Sequence, residues 1–178
     1  MSNRKTICDA AEIGTMTEKL ARQIVEGREN IDNLALVGIH TRGVYLARRI
    51  GKNIKDISSA KVPTGDMDIN LYRDDWTGIS HQPVVRSTRL DFNVSRKQVV
   101  LIDDVLYTGR TIRAALDAVI DFGRPLRIEL AVLIDRGHRE LPIQADYAGK
   151  FIETRREDVV NVLLSEYDGT DRVDLLTG

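Results

Sequence analysis

The stretch Val99-Val100-Leu101-Ile102 is apolar throughout and rich in β-branched residues. A run this short and uninterrupted reads as a strand buried on both faces, the kind found in parallel sheets covered by helices. Asp103 and Asp104 follow it directly, then Val105-Leu106-Tyr107-Thr108-Gly109-Arg110-Thr111. Ile112, Ala115, Leu116 and Val119 continue at helical spacing. The pattern sets two carboxylates at the end of a buried strand and a Thr-Gly turn at the start of a helix.

The same alternation recurs along the chain. Ile13, Met16, Leu20 and Ile24 predict a helix over Asp9 to Gly27, with Gly27 able to end it. Leu34 to Ile39 reads as another buried strand, His40 to Gly43 as a turn, and Val44 to Ile54 as a helix. Asp68 to Tyr72 alternates polar and apolar residues as a strand does, and Ile128 to Ile134 is an apolar strand ending at Asp135. Weaker strand signals lie near Val159–Leu164 and Arg172–Leu176. From Arg73 to about Arg96 no period survives, which suits a lid, a binding loop or a hairpin excursion. The fold class expected is α/β, a mostly parallel central sheet flanked by helices, in one domain spanning 1–178. Ligands of such sheets bind beyond the carboxyl ends of the strands. That nominates His40–Gly43, Asp103–Thr111 and Asp135–Asp146.

Composition narrows the chemistry. The 178 residues hold 26 Lys and Arg against 27 Asp and Glu, so a polybasic tail is excluded while a local basic face is not. Cys8 is the one cysteine, which excludes an internal disulfide and a Cys-based zinc site and suits a reducing, cytoplasmic setting. His40, His81 and His138 lie too far apart for ligand spacing. The charged start of the chain is unlike a signal peptide, and no apolar run approaches a membrane span.

The acid pair and the helix start belong together chemically. Backbone amides at a helix N-terminus, with the hydroxyls of Thr108 and Thr111, suit a phosphate. The carboxylates repel that phosphate but accept hydrogen bonds from sugar hydroxyls or attract a hydrated cation. Amides at one end and acids at the other fit a ribose 5-phosphate. A Walker A loop fails, because Asp104 stands where its first glycine belongs and Arg110 replaces its lysine. No Gly-x-Gly-x-x-Gly occurs. An ordinary junction with solvated aspartates is the plain alternative, and the Thr-Gly-x-Thr start tips the balance away from it.

These residues resemble the phosphoribosyl pyrophosphate signature of type I phosphoribosyltransferases. Taken with Leu71-Tyr72-Arg73-Asp74-Asp75 and Asp135-Arg136-Gly137-His138-Arg139-Glu140-Leu141-Pro142-Ile143, they resemble the PyrR family, bacterial pyrimidine operon attenuators that double as uracil phosphoribosyltransferases. The resemblance implies the type I fold with a small hood, about 136–158, and a flexible loop, about 73–96, that includes Arg73, Asp74 and Asp75. It implies that Asp103 and Asp104 hold the ribose hydroxyls near a magnesium ion carried by the substrate, with no direct metal ligand in the protein. Val105 and Leu106 lead into Tyr107, Thr108, Gly109, Arg110 and Thr111, which would wrap the 5-phosphate. Thr41 and Arg42 would form the pyrophosphate loop, where such folds often carry a cis peptide, and Arg42 would join Asp103 and Asp104 in catalysis. Arg136, with backbone near Val160, would recognise uracil. Purine-salvage relatives carry an acid where Tyr107 stands, so its absence favours a pyrimidine.

The implied reaction needs no nucleophilic triad. Displacement at the anomeric carbon passes through an oxocarbenium-like transition state, and Arg42 with magnesium would stabilise the departing pyrophosphate. The implied ligands are uracil, phosphoribosyl pyrophosphate, UMP and UTP. The further implied partner is pyrimidine operon leader mRNA, met by Lys19, Arg22, His138 and Arg139, which the implied homodimer or higher homo-oligomer would repeat across one surface. Glu18 and Gln144 lower the positive charge of that neighbourhood. Two other readings stand beside this one: an RNA-binding regulator with little catalysis, and phosphoribosyl transfer to another nucleobase.

Overall fold

Period-two burial along the central strands decides the architecture. Leu34 and Leu36 of β2 (Leu34–Ile39), Val100 and Ile102 of β4 (Gln98–Leu106), and Ala131 and Leu133 of β5 (Arg127–Asp135) face one apolar cluster. Their neighbours Val37, Ile39, Val99, Leu101, Leu130 and Val132 face another. Each strand is thus buried on both sides, as alternating side-chain directions require. In the computed structural model, which describes residues 3–70 and 88–178, these strands join β3 (Thr64–Met67) and β6 (Tyr147–Phe151) in a five-stranded sheet. Its order is β3-β2-β4-β5-β6, with every pairing parallel.

Helices cover both faces. Helices α1 (Ala10–Val25) and α2 (Arg42–Ser58) fill the first cluster, and α3 (Arg110–Asp121) fills the second. Asp9 caps α1 in a reciprocal box: its carboxylate accepts the Glu12 N–H at 2.9 Å, and Glu12 accepts the Asp9 N–H at 3.0 Å. Helix α2 begins at Arg42, two residues before the Val44 start that the apolar spacing suggests.

A second sheet is built from the two ends of the chain. β1 (Asn3–Cys8), β8 (Arg172–Thr177) and β7 (Val159–Leu163) pair antiparallel in the order β1-β8-β7, and a short helix α4 (Ser165–Asp168) links the last two. Val160, Val162 and Val173 add their side chains to the first cluster. Strand β6, within the range 136–158, completes the main sheet.

Two expectations are corrected, and two strands are new. Where a strand is expected from Asp68 onward, β3 instead covers Thr64–Met67 and the Asp68 carboxylate turns the chain by accepting the Asn70 N–H at 2.9 Å, while Leu71 and Tyr72 lie outside the described residues. The strand expected to stop at Ile102 continues to Leu106, with Asp103 opposite Val132 and Leu106 opposite Asp135. Strands β1 and β6 carry no continuous apolar run, so neither was expected. Strand β6 is fastened by polar contacts instead: the Tyr147 hydroxyl donates to Glu129 at 2.8 Å, and Arg28 donates to both. Of the aperiodic stretch, residues 88–96 are anchored through an Asp66–Arg89 bridge and buried Val94. Arg73, Asp74 and Asp75 lie outside the described residues.

Candidate active site

Three loops converge at the carboxyl ends of β2, β4 and β5. The first crosses from β2 to α2 with a cis peptide between His40 and Thr41. Close packing of glycine backbone brings it against β4. A Cβ on Gly43 would stand 2.3 Å from the Ile102 carbonyl oxygen, and one on Gly38 would stand 2.5 Å from the Gly43 carbonyl oxygen. No side chain fits there, so the turn holding Thr41 and Arg42 lies directly beside the acid pair.

Asp103 is buried and Asp104 is partly exposed. Each carboxylate accepts a backbone N–H from the next residue at 2.9 Å, Asp103 from Asp104 and Asp104 from Val105. Although the residue keeps some exposure, the protein packed around its carboxyl desolvates it and pushes Asp104 above the ordinary aspartate range, opposed by its hydrogen bond with Asp103 and by the positive charge of Arg42. Arg42 is itself gripped from the far side. Its Nε donates to Asp168 Oδ2 at 2.9 Å and its Nη2 to Asp168 Oδ1 at 2.7 Å, which holds its guanidinium firmly charged.

Beyond the acids, Tyr107 to Gly109 turn the chain into α3. Gly109 takes φ +91°, a conformation open to glycine, and its carbonyl accepts the Arg113 N–H at 2.9 Å. Residues 105–112 and Glu140 line a cavity of about 340 Å³ at the start of this helix. The amides of Arg110 and Thr111 belong to its first turn, where an anion is favoured. A larger groove of about 780 Å³ lies at the other end of α3, between Ile120 and Ile128, far along the strands from the acids.

The third loop, after β5, closes over the turn. The Arg136 N–H donates to Leu106 O at 3.1 Å, and the buried Arg136 guanidinium lies 4.0 Å from the Tyr107 ring centroid. Arg136 Nη2 donates to Arg155 O at 2.8 Å, while its Nε has no hydrogen-bond partner among the described residues. The Tyr107 hydroxyl donates to Arg156 O at 3.0 Å, and the His138 ring meets Tyr107 edge-on at 6.0 Å. Tyr107 is thus a wall between the helix turn and the segment around Arg155.

The structure brings Thr41, Arg42, Asp103, Asp104 and residues 105–111 together. Val160 sits on β7, the edge strand of the small sheet, with its side chain turned into the core. Any contact it makes with a ligand falls to its backbone. The four basic residues expected on one face have different tasks. Arg139 donates to Ile143 O, Tyr107 O, Gly137 O and Asp135 Oδ2, so its guanidinium holds the loop itself. His138 Nε2 is 2.8 Å from Thr154 O, and Lys19 Nζ donates to Ala148 O and Gly149 O. Arg22 is exposed, but shares its hollow with Glu18 and Asp56.

Asp168 and Glu140 are site residues that sequence reasoning missed. Asp168 is 126 positions from Arg42 and carries no local signal. Glu140 lies within a motif read from the sequence, yet only the structure shows that it joins Arg110 of the helix turn, at 2.8 Å, to Arg156.

Among the described residues, no group of three or more His, Cys, Asp or Glu could hold a metal ion. Two adjacent acids just before the helix-start turn instead fit magnesium bound mainly by substrate phosphates, which needs only one or two carboxylates from a protein. No helix among the described residues is long and apolar enough to cross a membrane.

Comparison with known proteins agrees with this geometry. The family described as "Phosphoribosyl transferase domain" matches residues 3–166. The "Bifunctional protein PyrR" of Desulfosudis oleivorans is 55% identical over 174 residues, 97% of this chain and 96% of that protein. Its namesake in Clostridioides difficile is 54% identical over 175 residues, 98% and 99% of the two chains. Among solved structures, a hypoxanthine phosphoribosyltransferase of Trypanosoma cruzi aligns with a TM-score of 0.73 at 18% identity, covering 99% of this chain and 96% of that one. One from Staphylococcus aureus aligns at 0.71 and 20% identity, covering 95% and 90%. At such identities these enzymes speak for the fold alone. Two full-length relatives above half identity and a family match over most of the chain lead to one conclusion: the chain belongs to the phosphoribosyl transferase domain family, and within it to the PyrR proteins.

Proposed function

We propose that this chain transfers ribose 5-phosphate from phosphoribosyl pyrophosphate to uracil, giving UMP and pyrophosphate, and regulates pyrimidine operon expression through mRNA. The observation that carries the catalytic half is the Asp103–Asp104 pair near the end of β4, two residues before the strand ends at Leu106 and a three-residue turn leads into α3, with Arg42 facing it.

Each part has a chemical task. The amides and hydroxyls from Tyr107 to Thr111 hold the 5-phosphate in the cavity at the helix start. Asp103 and Asp104 accept hydrogen bonds from the ribose hydroxyls, which fixes the anomeric carbon. Arg42, oriented by Asp168, sits where the leaving pyrophosphate gathers charge as the glycosidic carbon becomes oxocarbenium-like. Asp103 and Asp104 would lie beside a magnesium ion brought in with the activated sugar, which when bound would supply further positive charge against the leaving group.

The base site follows from Tyr107 and Arg136. Tyr107, in contact with Arg136 and His138, stands where purine-salvage relatives carry an acid, which favours a pyrimidine. The free Nε of Arg136 is a buried donor suited to a uracil carbonyl, with backbone near Val160 on the other side. UMP or UTP in this pocket would act on RNA binding by differential affinity for an RNA-competent form, in a homodimer or larger assembly.

The test is direct. Uracil, phosphoribosyl pyrophosphate and magnesium are incubated with the protein and UMP is measured by chromatography. Magnesium-dependent UMP is the expected result, and no UMP above a protein-free control overturns the catalytic half.

A further inference from the structure

Helix α4 is a single turn in which Ser165, Glu166 and Tyr167 are exposed and no residue is buried. So short a helix does not hold its shape in water by itself, and burial does not make up the deficit here. Its last residue, Asp168, nevertheless fixes the direction of Arg42. The hold on α4 is polar and comes from α2. Arg49 lies two helical turns from Arg42, on the same side of α2. Its Nε donates to Glu166 Oε1 at 2.8 Å and its Nη2 to Glu166 Oε2 at 2.6 Å. Nη1 donates to Asp171 Oδ2 and Nη2 to Asp171 Oδ1, each at 2.8 Å, and Nη2 also reaches Ser165 Oγ at 3.1 Å. Asp171 Oδ1 in turn accepts the Ser165 N–H at 2.6 Å, tying the start of α4 to the segment that follows it. Arg49 holds the carboxyls of Glu166 and Asp171 below their usual range, so both are charged partners at neutral pH.

We propose that Arg49 is a positioning residue for the pyrophosphate site: it grips α4 and the segment after it, which fixes Asp168, and Asp168 aims Arg42. The inference rests on the reading of Arg42 as the group that faces the leaving pyrophosphate. Ion pairs between exposed side chains contribute little on their own. Here one planar fork, 20% exposed, engages two carboxylates with all three of its nitrogens. Arg42 and Arg49 thus seize α4 and its flank from points about 10 Å apart on α2. Without Arg49, the turn keeps the Arg42 anchor and can pivot about it, and Asp168 carries Arg42 along. A shift of about 1 Å in a clamp is enough for a large loss of rate. Lysine could not replace Arg49, because a point charge cannot engage two carboxylates in fixed directions. The base site is spared in this scheme, since Arg136 and Tyr107 are held by the carbonyls of Arg155 and Arg156 and not by α4.

The experiment measures magnesium pyrophosphate binding by calorimetry and uracil transfer by steady-state kinetics. The full chain is compared with Arg49→Met, Glu166→Ala/Asp171→Ala, Asp168→Ala and Arg49→Met/Asp168→Ala, and thermal melts show which variants are folded. Arg49→Met should weaken pyrophosphate binding by about ten-fold and raise KM for phosphoribosyl pyrophosphate as much, with KM for uracil changed by less than about two-fold. Glu166→Ala/Asp171→Ala leaves Arg49 in place and should reproduce both losses, so it carries the test if Arg49→Met does not fold. In the Asp168→Ala background, Arg49→Met should cost less than about two-fold further, because its route to Arg42 is already cut. A merely structural role gives a lower Tm with pyrophosphate affinity unchanged, and that result overturns the proposal. So does an equal rise in KM for both substrates, or a further loss of about ten-fold on top of Asp168→Ala. A full chain that makes no UMP, yet loses pyrophosphate binding on Arg49→Met, supports the positioning role and overturns uracil transfer. A full chain that neither makes UMP nor binds magnesium pyrophosphate overturns both.

Discussion

Arg42 and Asp168 form a two-pronged ion pair, 2.9 and 2.7 Å, that fastens the loop after β2 to the far C-terminal helix α4. Asp168 also accepts the Leu164 N–H at 2.8 Å, so its own orientation is fixed. A small sheet made from the chain ends thereby aims a side chain in the candidate active site. Such planar pairing fixes direction as well as charge.

Replacing Asp168 by alanine should therefore injure catalysis without removing any group that touches substrate. The expected loss is about ten- to hundred-fold in kcat/KM for phosphoribosyl pyrophosphate, in line with misplacement of a clamp. Steady-state kinetics should show a raised KM for the activated sugar and little change in KM for uracil. Arg42 holds the Asp168 carboxyl below its usual range, so the pair's contribution to stability is present above the ordinary carboxylate pKa. It is lost as pH falls through that lowered value. Thermal melts across acid pH should show this dependence vanish in Asp168→Ala.

Asp104 behaves in the opposite sense. Burial raises its carboxyl, so the folded state favours the protonated form. Its stabilising contribution is full below the ordinary aspartate pKa and is lost as pH rises through the elevated one. In ligand-free protein at neutral pH, Asp104→Asn should raise Tm, while Asp103→Asn/Asp104→Asn should abolish detectable uracil transfer. Calorimetry and turnover measured on the same samples check both. A lower Tm for Asp104→Asn with full activity would mean that this acid is structural.

Arg136 joins the helix turn to the segment around Arg155 through the Tyr107 ring and a backbone carbonyl. Arg136→Lys keeps the charge but loses the planar stack and the fixed fork of donors. Uracil KM should rise by about ten-fold or more, consistent with roughly 1–3 kcal/mol for a buried charged hydrogen bond. KM for phosphoribosyl pyrophosphate should change little, and an equal rise in both would place Arg136 outside the base site.

The parallel sheet and the acid-pair turn were legible because their signals are local. Val99 to Ile102 had to be buried on both faces, and Gly109 and Thr111 mark a helix start. The resemblance named the chemistry that these letters serve. Strands β1 and β6 were not legible, since β1 pairs with β8 across the whole chain and β6 is held by Glu129 and Arg28. Asp168 and Glu140 were missed for a related reason, because their partners lie 126 and 30 positions away. Arg139 looked like a surface cation in the sequence, and only its four internal acceptors show otherwise.

The most direct test of the central claim compares nucleobases. Magnesium-dependent release of pyrophosphate from phosphoribosyl pyrophosphate is measured with uracil, orotate, hypoxanthine, guanine and adenine in turn. With Tyr107 pinned between Arg136 and His138, uracil alone should give robust turnover. Faster reaction with hypoxanthine or orotate than with uracil would contradict this account.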